Sequence, residues 1–355
     1  MNTGSQTQFE QSYRRRRLIR RIVIVLLGTI ISGLIGQAYG NVFYGGDLHD
    51  AYRGFRTGAS IGFISTVIEV FYIRADRRNW VRRSAFLPAL IVRILVLTLF
   101  IRLCLVGNEL ISDYITGNPL QRQLDIGVQI RDTLFSMAAV IVFVVLSQLT
   151  SIIGFKRFVN LVVGRYFKPV REDRLFLFVD LLGSTELARS LGDKKFHECL
   201  SEFFYQLDIA IVSTGGEIVS YIGDAVIITW PLTGNKTKNA RCLTALQAML
   251  FRLRRSQRDF EQRFNYTPAF RAAIHGGPVV VGECGNSRRQ VTFLGDAINI
   301  TSRIEELSKI EGDKFLASDS MLQQMEIPPG VQIEPFGEFK FKGADETFSL
   351  SRIVL

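Results

Sequence analysis

Four long apolar segments, separated by arginine-rich connections, constrain this chain more than any other feature. Ile22–Tyr39, Gly58–Ile73, Ala85–Val106 and Leu134–Ile153 approach the roughly 20 residues needed to cross a bilayer core, Gly58–Ile73 being the shortest. Inside a bilayer every backbone polar group must be satisfied by the chain itself, so the segments predict about four membrane-spanning helices. Arg14–Arg17, Arg20 and Arg21 precede the first. Arg74, Arg77, Arg78, Arg82 and Arg83 separate the second from the third, and Lys156, Arg157, Arg165 and Lys168 follow the fourth. The remaining two connections are nearly balanced, with Asp47, Asp50, Arg53 and Arg56 in one and Glu109, Asp113, Arg122 and Asp125 in the other. The positive-inside rule then places both termini in the cytoplasm, as in a multi-pass protein of a bacterial inner membrane.

Charge divides the chain in the same place. Residues 1–174 hold 23 Lys+Arg against 11 Asp+Glu, while residues 175–355 hold 20 against 22, so all of the net charge of +10 lies in the first half. Arginines beside apolar runs are topology signals, which argues against nucleic acid as a partner. The organisation expected is a basic N-terminus (1–21), a transmembrane domain (22–153), a linker helix (154–173) and a cytosolic domain (174–355). Glu69, Arg93 and Arg102 fall inside the spans, where ionisable groups are costly and normally paired. Glu69 can meet Arg93 near the cytoplasmic face, and Arg102 lies at the level of Asp132. Cys104, Cys199, Cys242 and Cys284 form no CxxC pair, which excludes a zinc ribbon and makes disulfides an unlikely staple for a cytosolic half. His275 is expected as a satisfied histidine near the core. In the linker, apolar residues at 155, 158, 159, 162, 163, 166 and 167 fit an amphipathic helix ending near Lys168-Pro169.

The second half alternates strands and helices. Leu175–Asp180 reads as a strand, and a helical pattern runs on to Ser213, with Ser184 and Thr185 suited to its N-cap. Glu217–Ile222 and Ala225–Trp230 are joined at Gly223-Asp224 as a hairpin. A helix follows over Asn239–Phe264, then strands Ala269–His275 and Pro278–Val281, a helix Asp296–Leu307 and a β-rich end. This predicts an α+β domain with helices on one face of a sheet. Asp180 and Asp224 stand at strand ends that can converge, where two carboxylates suit a hard cation such as Mg²⁺. Asn299 and Arg303 are four apart on one helix, so both can reach one ligand.

Several segments in order resemble the catalytic domain of class III nucleotidyl cyclases, the adenylyl and guanylyl cyclase family. They are Phe-Val-Asp180-Leu-Leu-Gly-Ser-Thr, Tyr-Ile-Gly-Asp224-Ala, Ala-Ala-Ile-His-Gly-Gly-Pro-Val-Val-Val-Gly, Phe-Leu-Gly-Asp296-Ala-Ile-Asn299-Ile-Thr-Ser-Arg303 and Phe-Lys342-Gly. The resemblance spans residues 174–355. It implies a ferredoxin-like α+β core, a head-to-tail homodimer with sites at its interface, and conversion of ATP to 3′,5′-cyclic AMP and pyrophosphate. It further implies two Mg²⁺ or Mn²⁺ ions held by Asp180 and Asp224, and phosphate contacts from Leu181, Leu182, Gly183, Ser184 and Thr185. Asn299 would orient the ribose, Arg303 would meet charge on the α-phosphate, and Lys342 would clamp the terminal phosphates. The positions that select the base in this family hold Ser220 and Thr292, in place of the lysine and aspartate of many adenylyl cyclases. The glutamate and cysteine of guanylyl cyclases are absent too. ATP is the substrate expected, with GTP or both nucleotides as the alternative. A catalytically silent nucleotide-binding receptor is a further alternative from outside the enzymes.

Overall fold

The computed structural model describes residues 3–45, 47–73, 86–116, 126–154, 158–160, 163–287, 289–312, 315–341 and 346–355. They form two compact units, one ending at Val162 and the other beginning at Val163.

The first unit is helical: α1 (Thr3–Phe43), α2 (Leu48–Val67) with a π-helical continuation (Ile68–Ile73), α3 (Phe86–Thr116) and α4 (Ile126–Ile153). Among the described residues three segments are long and apolar enough to cross a membrane: Arg21–Phe43, Leu90–Gly107 and Ile126–Thr150. The expected span Gly58–Ile73 lies within α2 and its continuation and falls short of that standard. It is rich instead in glycine, serine and threonine, and it packs against α1. A Cβ on Gly36 would sit 2.2 Å from the Gly54 carbonyl oxygen, and one on Gly54 would sit 2.2 Å from that of Gly36. Small residues at four-residue spacing (Gly28, Ser32, Gly36 and Gly40 on α1; Gly54, Gly58 and Gly62 on α2) let the two backbones touch.

The charges inside this unit find partners on α4. Ser147 Oγ donates to Glu69 at 2.5 Å, and Arg93 Nη1 donates to Gln148 Oε1 at 3.0 Å. Arg102 Nη1 donates to Thr133 Oγ1 at 2.7 Å, whereas Asp132 accepts from Tyr39 and Tyr44. Arg102 thus lies at the level of Asp132 as expected, bonded to the next residue, while Glu69 and Arg93 bond to the neighbouring Ser147 and Gln148 on α4. A neutral partner satisfies a buried charge without requiring two desolvated ions to align.

The second unit is built on β1 (Val170–Leu181), α5 (Ser184–Leu191), α6 (Asp193–Ser213), β2 (Glu217–Ile222), β3 (Ala225–Pro231), α7 (Lys236–Asn239), α8 (Arg241–Phe264), β4 (Phe270–Cys284), β5 (Gln290–Leu294), α9 (Asp296–Glu311), β6 (Phe315–Ser318), α10 (Asp319–Leu322), β7 (Gln332–Lys340) and β8 (Thr347–Val354). The strands form one sheet in the order β2-β3-β1-β4-β6-β8-β7, with β5 paired to β4. Only the β4–β6 pair is parallel. The long helix expected up to Ser213 breaks at Gly192, whose φ is 71°. The two strands expected over 269–281 are one continuous β4.

Side-chain alternation along β1 sorts the core. Phe176 and Phe178 pack with Ala297, Ile298 and Ile300 of α9. The opposite set includes Leu181, paired in register with Phe270, whose ring touches Phe203 of α6. Helices therefore cover both faces of β1 rather than the single face expected, because α9 occupies the side opposite α6. Tyr166, expected on the linker helix, is buried in the same cluster as Phe176 and Ala297. Residues 155–157 and 161–162 of that linker lie outside the described residues. His275 is buried and its Nδ1 lies 2.7 Å from Ser318 Oγ. Burial pushes its imidazole down to about 4. Cys199, Cys242 and Cys284 are free thiols.

Candidate active site

Two turns and one helix bring the titratable groups of the second unit together. Asp180 is the penultimate residue of β1, in register with Ala225 on β3 and with Arg271 on β4. Asp224 sits in the two-residue turn between β2 and β3, immediately before Ala225. The hairpin thus carries Asp224 alongside the end of β1, next to Asp180. Burial, followed by the negative charges of Asp224 and Glu305, pushes the Asp180 carboxyl up to about 6. Glu305 on α9 is raised as well, by burial first, with Asp224 and Glu306 adding to it.

The cation beside Asp180 is Arg271, while Lys309 on α9 also acts on Glu305. Arg271 Nε lies 3.4 Å from Asp180 Oδ2, with both side chains largely buried. Neither Arg271 Nε nor Glu305 Oε1 has a hydrogen-bond partner, although both atoms are buried. Three carboxylates and one guanidinium leave an excess of negative charge in a low-dielectric site, and a divalent cation would relieve it. Among the described residues no group of three or more His, Cys, Asp or Glu is placed to hold a metal. Two carboxylates are nevertheless the usual protein share for Mg²⁺, which takes its other ligands from water and substrate phosphates. The donor set of Asp180 and Asp224 fits that use.

The loop after Asp180 is tied down before it reaches α5. Leu182 N–H donates to the Ala269 carbonyl at 2.9 Å, and Tyr266 Oη donates to the Leu182 carbonyl at 2.6 Å. Leu181 is buried and paired in the sheet. Gly183, in the left-handed region at φ 70°, takes the N-cap position expected of Ser184 or Thr185, and no side chain caps the helix. The chain must reverse sharply there, and glycine does so without a Cβ penalty. The backbone amides positioned for an anion are thereby narrowed from Leu181–Thr185 to Gly183, Ser184 and Thr185 at the helix start.

Asn299 and Arg303 are not part of this cluster in their own chain. Successive α-helical residues turn by about 100°, so Glu305 and Arg303 point to nearly opposite sides of α9. Glu305 is drawn in beside the carboxylates, while Asn299 is exposed and Arg303 is 49% exposed, pairing with Glu306 at 3.1 Å. Of the two expected base-contacting residues, Ser220 is on β2 beside a bulge in its pairing with β3. Thr292 is on β5 opposite Gly282, and its Oγ1 donates to the Gly282 carbonyl at 3.2 Å, with Cys284 Sγ equally near. Lys342 lies outside the described residues.

Arg271 and Glu305 were not singled out by sequence reasoning. The register of β1 against β4 introduces the first, and the packing of α9 introduces the second. Neither pairing has a local signature, and a charged residue beside an apolar run reads as an ordinary strand or helix boundary.

A family model described as the adenylate and guanylate cyclase catalytic domain matches residues 171–352, just over half of the chain. Adenylate cyclase 2 of Rhizobium meliloti is 29% identical over 338 residues, covering 92% of this chain and 89% of that protein. That likeness extends well beyond the catalytic region into the helical half. Adenylate cyclase of Anabaena cylindrica is 29% identical over 181 residues, and its match covers 50% of this chain but only 36% of that protein. Of the solved structures, the adenylyl cyclase CyaB from P. aeruginosa superposes with a TM-score of 0.44 at 19% identity, covering 53% of this chain and 96% of that one.

Proposed function

Since this chain belongs to the adenylate and guanylate cyclase catalytic-domain family, we propose that it is a membrane-anchored adenylyl cyclase whose two active sites form between the catalytic units of a homodimer. The observation that carries the reading is the division of labour on α9. Glu305 faces Asp180 within the chain, while Asn299 and Arg303 face outward, where only a second molecule can use them. Exposed apolar side chains support such pairing: Ile222 is 60% and Leu294 is 60% exposed.

Each site would then take Asp180, Asp224 and the amides of Gly183–Thr185 from one chain, and Asn299, Arg303, Thr292 and Lys342 from the other. Divalent cations held by Asp180 and Asp224 supply charge neutralisation for the triphosphate and acidify the ribose 3′-hydroxyl. The free amides at the start of α5 bind phosphate oxygens. Arg271 is the cation already present beside the carboxylates, and it can turn to a phosphate oxygen once Asp180 is engaged elsewhere. Asn299 orients the ribose so that its 3′-oxygen approaches the α-phosphorus in line with the departing pyrophosphate. Arg303 stabilises charge that grows on the α-phosphate oxygens only as the transition state forms.

ATP is favoured by the direction of one hydroxyl. The Thr292 hydroxyl has two inward acceptors at 3.2 Å, the Gly282 carbonyl and Cys284 Sγ, and donating to either leaves its oxygen as an acceptor. The adenine N6 amino group donates, whereas guanine presents the O6 acceptor at that position. Ser220 has no such constraint. The arginine-rich connections and apolar helices of the first unit support anchorage in a bacterial inner membrane with the catalytic unit in the cytoplasm.

The test is a cyclase assay of the full-length protein in membranes, with ATP and GTP in parallel, first in Mg²⁺ and then in Mn²⁺. Mixed dimers of Asp180→Ala and Arg303→Ala chains are measured beside each homodimer. Cyclic AMP from wild type, none from either variant alone, and about a quarter of wild-type activity from an equimolar random mixture are expected for one intact composite site in half of the dimers. Cyclic GMP as the main product would reassign the base. No product from either nucleotide would make the chain a silent nucleotide receptor, and inactive mixed dimers would reject the shared site.

A further inference from the structure

The helical unit contains a cavity that cyclase chemistry does not use. It is about 660 Å³ in volume and is lined by α1, α2 and α4, with Leu105 from α3. Small-molecule sites fall between about 300 and 1,000 Å³. The lining follows α1 from Gly28 to Tyr44, which at 1.5 Å per residue is a length of about 24 Å. That length suits an extended hydrocarbon chain, and the volume is that of a site for one small molecule.

The two ends of the cleft differ in chemistry. Toward Gly28 the walls are Ile31, Ile61, Val140, Phe143 and Leu146. Toward Tyr44 the walls carry Asp50, Arg53, Arg56 and Asp132. Three of these four are already engaged. Asp132 accepts from Tyr39 at 2.5 Å and from Tyr44, with Arg131 3.4 Å away, and Asp50 and Arg56 have interactions of their own. Arg53 is half-buried and makes no hydrogen bond or ion pair with any described residue. It stands one residue before Gly54, where the backbones of α2 and α1 touch. A guanidinium confined there cannot lose its proton, so an anion is the partner that would satisfy it.

We propose that this cleft binds a single-chain amphiphile with a carboxylate head, of the fatty-acid class, its head on Arg53 and its tail along α1 toward Gly28. The proposal rests on the reading that the helical unit lies in a bilayer, which is where such a ligand partitions. It is independent of which nucleotide the catalytic unit takes.

The test uses full-length protein in phosphatidylcholine nanodiscs and palmitate carrying a mid-chain diazirine, with cross-linked peptides mapped by mass spectrometry. Labelling is expected on the cleft-lining stretches of α1, α2 and α4. Arg53→Gln should lower it about tenfold or more, the scale of a lost charge-assisted hydrogen bond, while Arg53→Lys keeps most of it. Unlabelled palmitate should compete and hexadecanol should not. Labelling unchanged in Arg53→Gln, or equal competition by hexadecanol, would overturn the proposal. Phosphatidylglycerol displacing the probe as well as palmitate does would reassign the cleft to the bilayer's own anionic lipid and overturn the single-chain occupant. Protein that fails to enter nanodiscs would remove the membrane reading itself.

Discussion

The two units of this chain bury opposite kinds of residue. In the catalytic unit Phe176, Leu177, Phe203 and Leu243 are fully buried, and most charge is held at strand ends and on the surface, with Arg174 buried on β1 beside Glu172. In the helical unit Leu26 is 55%, Leu99 is 72% and Leu103 is 68% exposed, while Ser65, Thr66, Glu69, Arg93 and Ser147 are buried. Each arrangement is stable in a different solvent. Water drives apolar side chains together in the first. Lipid offers no such drive, so backbone proximity and polar contacts hold helices together in the second. The contrast shows why one chain can carry Glu69 and Arg93 inside a helical bundle yet needs a hydrophobic core to hold Asp180 and Asp224 in place.

The largest expected effect separates function from stability. Asp180→Asn should lower cyclase activity by about 10³-fold or more, on the scale set by loss of a preorganised transition-state contact. In a folding measurement on the same variant, the catalytic unit should become more stable by about 3 kcal/mol at neutral pH. The unfolded carboxyl releases its proton near 3.8, and the folded one holds it to about 6. Above that window the folded state therefore bears the full cost of an ionised, crowded carboxylate. Equal or lower stability of Asp180→Asn would show that the Arg271 pair outweighs the repulsion.

Next in size, Phe176→Ala should destabilise the catalytic unit by about 3–5 kcal/mol through the cavity it leaves. Leu99→Ala, on the outward face of α3, should cost far less in a bilayer, where the side chain faces lipid in both states. Chemical denaturation of the two variants in nanodiscs compares them directly, and equal losses would erase the inside-out contrast.

The third effect is a pH dependence confined to the catalytic unit. His275 takes up a proton near 6.5 when unfolded but only near 4 when folded. Stability is then complete above 6.5 and falls as the pH drops from there to about 4, by about 3 kcal/mol in all. Replacing His275 with Gln should flatten that part of the stability curve, and an unchanged slope would assign it to other groups.

The smallest expected change is local to the helical unit. Gly36→Ala places a methyl group against the Gly54 carbonyl and should separate α1 from α2, costing on the order of 1–3 kcal/mol as overpacking does. The thermal midpoint of the catalytic unit should be unmoved, and a shift there would show that the units are energetically coupled.

Much of the architecture was legible along the chain. The helical unit follows from apolar runs and arginine placement, and the hairpin carrying Asp224 follows from Gly223-Asp224 between two β-rich runs. The convergence of Asp180 and Asp224, and the shared helix of Asn299 and Arg303, were legible because each rests on a turn or helix spacing of its own. Arg271 and Glu305 were not, because their relevance comes from a strand register and a helix face. Nor was the α1–α2 contact, since a glycine every fourth residue says which face can approach but not what approaches it.

By itself the sequence determined most of the helices and strands, which half carries long apolar segments flanked by arginine and which residue types are available for chemistry, since these follow from local periodicity, charge and propensity. Tertiary structure alone decided that Arg271 and Glu305 crowd Asp180, that the Thr292 hydroxyl lies against Gly282 and Cys284, and that Arg53 has no partner among the described residues. Those are contacts between residues far apart in the chain or absences of contact altogether, and both depend on how surfaces meet after the local elements have formed.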